Sequence, residues 1–143
     1  MGLLSGHGST LGFGTTSTFS PAYTSIGGFG ASRETLRTSV LSTQGAHTTI
    51  GGDLFEIEPF TANYYLDPDT LATTEANAID DLLFDSGAVS AAETATVTLP
   101  NSGASTIAQT ADVTGFRIED LVTDTIVAAS ITVQFQDWPT IAE

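Results

Sequence analysis

The sequence predicts an α+β fold: a β-rich, sandwich-like or barrel-like domain with one α-helix packed on the sheet. Two observations predict the strands. Short runs of β-forming residues recur between Gly- and Ser-rich stretches, and residues 131–136 alternate apolar and neutral polar side chains. A third observation predicts the helix, because apolar residues recur at convincing helical spacing only after Asp67-Pro68-Asp69.

The first predicted strands are short. Residues 22–26 and 35–40 combine aromatic, β-branched and hydroxyl side chains and are flanked by Gly or Ser. Between them and the next strand, residues from about 42 to 53 lack an apolar period. This stretch ends in two consecutive glycines and is predicted to be a long loop.

The next predicted strand carries two different faces. Phe55 and Ile57 share one face and Glu56 and Glu58 share the other, because successive side chains on a strand point to opposite sides. Pro59 cannot donate to a backbone ladder, so a bulge, bend or sheet edge is expected there.

The helix is predicted over residues 69–85, or about four turns. Pro68 suits a first helical turn, and Asp67 and Asp69 favour the positive end of the helix dipole. Gly87 follows at a position typical of a helix C-terminus. The predicted apolar face consists of Leu71, Ala72, Ala76, Ile79, Leu82 and Leu83.

Three β segments follow the helix. Residues 95–99 end at a turn signal, Pro-Asn-Ser-Gly at 100–103. Residues 106–118 predict a longer strand with a bend at Gly115. The last strand, within 126–136, presents one apolar and one neutral polar face.

The composition excludes several classes of protein. Of 143 residues, 17 are Asp or Glu and 3 are Arg, with no Lys, so the formal net charge is −14. Proteins that neutralise nucleic-acid phosphates, or that bind acidic membrane surfaces, depend on Lys and Arg. Residues 1–52 sum to +1 and residues 53–143 to −15. The glycine-rich first part has too few large apolar residues for a core of its own, so we expect one domain, 1–143.

Candidate catalytic and metal-binding residues are few. His7 and His47 lie in Gly/Ser/Thr-rich stretches without nearby carboxylates, and the chain has no Cys, so we expect no metal site. Asp67 and Asp69 resemble the start of a calcium loop, but the glycine at its sixth position is missing and helix capping explains both residues better. We expect no cofactor.

Glu56 and Glu58 have two interpretations as a pair of carboxylates. They could be the paired acids of a glycosidase, but two acids spaced two apart on a strand are usually a solvated sheet face. No Gly-x-Ser-x-Gly nucleophile motif occurs. The residues therefore predict that the chain is not an enzyme.

The order of several short motifs resembles the major tail tube proteins of long-tailed, non-contractile bacteriophages. Ser-Ile-Gly-Gly-Phe-Gly-Ala-Ser-Arg-Glu-Thr at 25–35 is followed by a Thr-rich strand at 38–43 and a Gly-acid-apolar strand entry at 51–57. Tyr-Tyr-Leu-Asp-Pro-Asp at 64–69 then precedes the helix. Thr-Val-Thr-Leu-Pro at 96–100 and Gly-Phe at 115–116 also fit, so the resemblance covers roughly residues 20–140.

This resemblance implies a tube of stacked homohexameric rings. Each subunit would add strands to a continuous inner β-barrel, with the helix outside and the loop near 42–53 reaching the neighbouring ring. The family shares its fold with the type VI secretion tube. Family members often carry Lys or Arg in the long loop, where this chain has only His47, and the Gly-Gly-Phe-Gly run is unusually glycine-rich.

The resemblance also implies partners and a location. The partners would be further copies of the chain and other tail proteins, such as the tape measure, terminator and distal tail proteins. DNA would pass through without specific binding, no membrane would be involved, and the protein would be assembled in the host cytoplasm into the virion tail. Residues 1–20 are glycine-rich, and we expect them to form a flexible N-terminal arm that orders on stacking.

The acidity suits such a conduit, because each Lys or Arg at its wall would add affinity for DNA. We expect Glu56 and Glu58 to face the bore, since Phe55 and Ile57 are predicted to face the packed side. An acidic β-sandwich that decorates a capsid or cell surface is the alternative. It explains the charge and the Thr/Ser content equally well, but not the helix insertion after Tyr-Leu-Asp-Pro.

Overall fold

The computed structural model describes residues 6–14, 19, 21–38, 40, 45, 49–84 and 93–143. This part of the chain contains nine strands and one short helical region. The strands are β1 (Thr10–Phe13), β2 (Tyr23–Gly27), β3 (Ala31–Arg37), β4 (Thr49–Ile57), β5 (Phe60–Tyr65), β6 (Glu93–Thr98), β7 (Thr106–Ile118), β8 (Ala128–Phe135) and β9 (Thr140–Ala142). A π-helical segment (Leu71–Glu75) leads into helix α1 (Ala76–Leu82).

Seven of these strands form one antiparallel sheet. The order is β1-β6-β7-β8-β5-β2, and β9 pairs with β7 beyond the end of β8. β1 and β2 stand at the two ends of this order and lie near each other, but no ladder joins them among the described residues. The predicted β-rich α+β domain is confirmed, and its main sheet is barrel-like without closing into a barrel within the described chain.

One face of the main sheet supplies the core. Alternate residues of β5 and β8 are buried, as the period of two in their sequences predicts. Aromatic rings extend this core across the open seam between β1 and β2: the Phe19 ring lies 6.4 Å from Phe13 and 5.9 Å from Tyr64. The buried apolar residues are Leu11, Phe13, Phe19, Phe60, Ala62, Tyr64, Ala78, Leu82, Ala95, Val97, Ala111, Val113, Ala129, Ile131, Val133 and Phe135.

Part of the segment expected to be a flexible arm belongs to this sheet. β1 pairs with β6, and Leu11 and Phe13 are buried in the core together with Phe19. The glycines around these residues suggested mobility, but three large apolar side chains are enough to anchor the segment through burial. Residues 1–5, 15–18 and 20 of the expected arm lie outside the described residues.

The strands β3 and β4 form a separate two-stranded sheet. Residues 49–53, which the sequence analysis placed in the long loop, belong to β4, so the connection to β3 is shorter than expected. The two glycines are accommodated by a bulge: a Cβ on Gly52 would lie 3.0 Å from the carbonyl oxygen of Glu34. Most of the remaining predicted loop, residues 41–44 and 46–48, lies outside the described residues.

Two predicted breaks in the strands are confirmed. The chain leaves the smaller sheet after β4 and enters the main sheet at β5, with Pro59 in the gap between them. In β7 the pairing register shifts between Val113 and Gly115, where the bend was predicted. The turn between β6 and β7 also forms as predicted, and Asn101 Oδ1 accepts a hydrogen bond of 2.8 Å from the Ser105 N–H.

The helical region is shorter and less regular than predicted. It begins with a π-helical segment, in which the Ala76 N–H donates to the Leu71 carbonyl, and α1 ends at Leu82. Because a π-helical turn holds more residues than an α-helical turn, the inward face differs from the predicted one. Ala78 is buried, whereas Ala72 and Ala76 are exposed. Gly87, the predicted residue after the helix, lies outside the described residues.

The helix packs on the core through its last turn. Leu82 is 2% exposed, and Ile79 and Leu83 are half-buried beside it. These side chains meet Val113, Phe116 and Ile131 of β7 and β8 around a small apolar pocket. Leu82 is therefore the main contact that fixes the helix to the sheet.

We expect Leu82→Ala to lower the free energy of unfolding by about 2–5 kcal/mol, because it removes buried methyl groups and leaves a cavity. Leu54→Ala is the matched control, since the Leu54 side chain is 85% exposed. Urea denaturation of both variants measures the difference. Wild-type stability in Leu82→Ala would show that the helix does not pack on the sheet through this residue.

Candidate functional site

The smaller sheet forms a hairpin that stands apart from the core. All described side chains of β3 are exposed. The hairpin is fixed to the main sheet at its base, where Gln134 Nε2 donates to the Ile57 carbonyl at 2.9 Å and Ile57 packs against the core. A second base contact is the Phe29 ring, 4.8 Å from Phe60. Beyond this base, both strands extend into solvent.

Cross-strand pairing assigns the hairpin's side chains to two faces. One, which we call the arginine face, consists of Arg33, Thr35, Arg37, Thr49, Gly51 and Phe55. The other, the leucine face, consists of Ser32, Glu34, Leu36, Ile50, Leu54 and Glu56. Both faces expose large apolar side chains: Phe55 is 45% exposed on the first and Leu54 is 85% exposed on the second.

An isolated two-stranded hairpin is marginally stable in water. Exposed apolar residues in one contiguous area are typical of binding surfaces. The hairpin therefore has the physical character of an element that is covered by another molecule.

The arginine face holds two of the three cations of the chain. Arg117, the third, lies 3.7 Å from the Glu119 carboxylate. Neither Arg33 nor Arg37 has an ion pair or a hydrogen bond through its side chain among the described residues. Gly51 lies beneath the Arg33 stem, and a Cβ there would be 3.2 Å from the Arg33 Cδ.

The two acids singled out from the sequence lie at the base of the hairpin. Glu56 is exposed on the leucine face, and Glu58 is exposed just after β4, where its N–H donates to the Gly30 carbonyl at 2.9 Å. The face of β4 that was predicted to be packed is packed at one of its two residues. Ile57 contacts the core, but the Phe55 side chain is exposed. The structure thus places both acids on the surface, and their position relative to a bore stays a prediction.

The connection between β7 and β8 is a second exposed apolar area, which sequence reasoning missed. We call residues 118–127 the acidic-apolar loop. It exposes four large apolar side chains and two acids: Ile118, Asp120, Leu121, Val122, Asp124 and Ile126. The signal was available, because Leu-Val at 121–122 lies between acids with no strand period to bury it.

A buried tyrosine hydroxyl near the open seam between β1 and β2, that of Tyr23, makes no hydrogen bond among the described residues. Burial raises the pKa of this phenol far above its ordinary value, and the neighbouring Tyr64 adds to the shift. The phenol therefore stays neutral. Within the part of the chain that the structure describes, its strand β2 pairs only with β5.

The described residues bring no metal-binding cluster of His, Asp and Glu together. His7 is exposed in a turn, and His47 lies outside the described residues. The Asp67 carboxylate accepts the Asp69 N–H at 2.9 Å and so closes the turn before the helix. The predicted helix capping by Asp67 and Asp69 is not seen: the N-cap residue is Thr70, without a side-chain capping hydrogen bond, and the first turn holds no acid. Within the described chain, no helix has the length and apolar character needed to cross a bilayer.

No protein-family model matches the sequence, and no curated protein matches it either. Solved structures of similar fold do exist. The chain is similar to a protein in the sheath/tube terminator of an extracellular contractile injection system, PVC, in its extended state. The TM-score is 0.73 at 13% identity, over 100% of this chain and 99% of that one.

Two other assemblies contain chains of similar fold. One is the tail of an empty GTA particle with C6 symmetry, with a TM-score of 0.69 at 12% identity over 99% of this chain and 100% of that one. The other is a type six secretion system protein, with a TM-score of 0.51 at 9% identity over 89% and 78%. At these identities the likeness concerns the fold, and the chain has a tail-tube-like fold.

Proposed function

We propose that this chain is a structural subunit of a tail tube, built from stacked homohexameric rings that conduct DNA. The observation that carries the proposal is the hairpin of β3 and β4. It exposes large apolar side chains on both faces, in a chain whose fold resembles components of tail and injection assemblies. Such a hairpin is expected to be buried by neighbouring copies.

The sheet edges support self-assembly. Among the described residues, β2 and β9 each pair with one strand only, so each leaves a row of backbone groups for a further strand. Neighbouring subunits that add strands at these edges would close a continuous barrel, which removes the edges altogether. The C6 symmetry of the GTA tail supports six copies per ring.

The charge supports a non-adhesive conduit. Six copies of a −14 chain carry −84. Any acids that face the bore would repel DNA phosphates within a Debye length of about 8–10 Å. Double-stranded DNA would slide through such a bore without specific binding. A bore lined with cations would instead displace the counterions of the DNA phosphates and hold the DNA. The role proposed here is structural and requires neither an active site nor a cofactor.

The finer form of the proposal assigns the tube to a long, non-contractile phage tail. The motif order in the sequence supports this assignment. The partners would then be further copies of the chain and the tape measure, terminator and distal tail proteins. The protein would be assembled in the host cytoplasm and would reside in the virion tail. The connection between β3 and β4, predicted from the sequence near residues 42–53, would contact the next ring.

The competing function is that of an acidic module that decorates a capsid or cell surface. Such a module needs no partner copy, so its sheet edges and hairpin would stay uncovered in a monomer. The hairpin favours the tube, because a monomer would keep Leu54 and its neighbours in water.

We expect the purified protein to associate as its concentration rises, from a 14.8 kDa chain to six-fold rings and then tubes. The physical reason is that association buries the hairpin and the free edges. Sedimentation velocity over a wide concentration range, with negative-stain imaging of the same samples, measures this. A chain that stays monomeric at every concentration would contradict the tube and favour the decorating module.

We expect Glu56→Lys combined with Glu58→Lys to slow DNA release from particles that carry the variant, while rings still form. Lysines at the bore would attract phosphates that the wild-type acids repel. Asp80→Lys combined with Asp81→Lys is the control, because the helix is proposed to lie outside the tube. Release at the wild-type rate from the first variant would show that Glu56 and Glu58 do not line the bore.

A further inference from the structure

The scarcity of cations restricts how copies of this chain can meet. Each copy has a net charge of −14, so copies repel one another at a distance. An interface forms most readily where it places a cation of one copy against an acid of the next. Arg117 is occupied by Glu119 in its own chain, which leaves Arg33 and Arg37.

The arginine face is suited to such a contact. Arg33 and Arg37 lie four residues apart on one strand, hence about 13 Å apart. This distance exceeds a Debye length, so each arginine needs an acid of its own. Phe55 lies directly opposite Arg33 and adds an exposed ring beside that charge. The matching surface must therefore combine two separated acids with apolar side chains.

The acidic-apolar loop combines acids with exposed apolar side chains. Asp120 and Asp124 are exposed and four residues apart, and Leu121, between them, is 77% exposed. Glu119, at the start of the loop, already contacts Arg117 and accepts a hydrogen bond from Ser130. Asp124 has a φ of 66°, a conformation that Asp adopts more easily than most residues.

Two groups of exposed acids around the helix fit less well. Asp67 is engaged in the turn before the helix, and Asp80 and Asp81 are adjacent rather than separated. Neither group lies among several exposed apolar side chains of the kind that the acidic-apolar loop presents.

We propose that the arginine face of one copy binds the acidic-apolar loop, residues 118–127, of a second copy. Arg33 and Arg37 pair with Asp120 and Asp124, and Phe55 packs against the exposed apolar side chains of the loop. This inference rests on the proposed self-assembly and names the surfaces that carry it. Because each copy has both surfaces, the contact is head-to-tail and can repeat around a ring or along a stack.

Charge reversal on either surface tests the contact. Arg33→Glu with Arg37→Glu is the hairpin variant, and Asp120→Lys with Asp124→Lys is the loop variant. Each alone is expected to weaken self-association on the order of tenfold or more, because two opposite-charge contacts become like-charge contacts. An equimolar mixture is expected to regain assembly, since alternating copies restore an opposite-charge pair at every contact.

Two controls separate the contact from effects on folding and on total charge. Asp80→Lys with Asp81→Lys adds the same charge as the loop variant elsewhere and is expected to associate at least as well as the wild type. Asp124→Asn removes one charge but keeps a residue that tolerates positive φ, and it is expected to weaken association less than the loop variant. Circular dichroism and thermal unfolding of each variant show that the fold is retained.

The outcomes distinguish the two proposals. If the wild type forms rings and both folded reversal variants do so equally well, the pairing of these surfaces is wrong and the tube stands. If both variants are weakened but the mixture does not recover, the two surfaces contact different partners and the pairing is again wrong. If the wild type never associates, the proposed function itself fails.

Discussion

A two-stranded hairpin needs a second surface to pack against, and this requirement organises the molecule. β2 and β5 are direct neighbours in the main sheet, so β3 and β4 form an excursion between two strands that already pair. The core is complete without this excursion, apart from Phe29 and Ile57 at its base. The exposed apolar side chains of the hairpin therefore contribute little to the folding of their own chain, and their burial belongs to contact with another molecule.

The distribution of charge follows the same division. The main sheet and its connections carry most of the acids, whereas the hairpin carries three acids (Glu34, Asp53 and Glu56) together with the two arginines that have no ion pair among the described residues. Burial of the apolar side chains of a hairpin supplies affinity for a partner. Opposite charges restrict where the hairpin binds and in which orientation. In a strongly acidic chain, two cations on one face are enough to make this restriction effective, because nearly every other approach between copies is repulsive.

Local sequence patterns predicted most of the fold. The predictions failed where contacts between distant parts of the chain determine whether a segment forms a strand. Residues 106–118 and the alternation of Ile131, Val133 and Phe135 were predicted correctly, because each strand buries one face. β1 was missed since glycines surround Leu11 and Phe13, and the start of β4 was missed because a bulge accommodates Gly51 and Gly52. Of the candidate surfaces, alternation singled out Glu56 and Glu58, whose place in a bore stays a prediction. The acidic-apolar loop has no period, and its exposure depends on the neighbouring strands.

The unequal charge also sets a condition for growth. Every copy that joins the proposed assembly brings a net charge of −14, in which the three arginines are already counted. Dissolved cations must accumulate around the growing particle to balance this charge. Moderate ionic strength therefore promotes polymerisation by weakening long-range repulsion, while desolvated contacts between surfaces in direct touch are screened much less. For the proposed tube, the concentration of small ions in the surrounding medium would therefore influence how readily further copies are added.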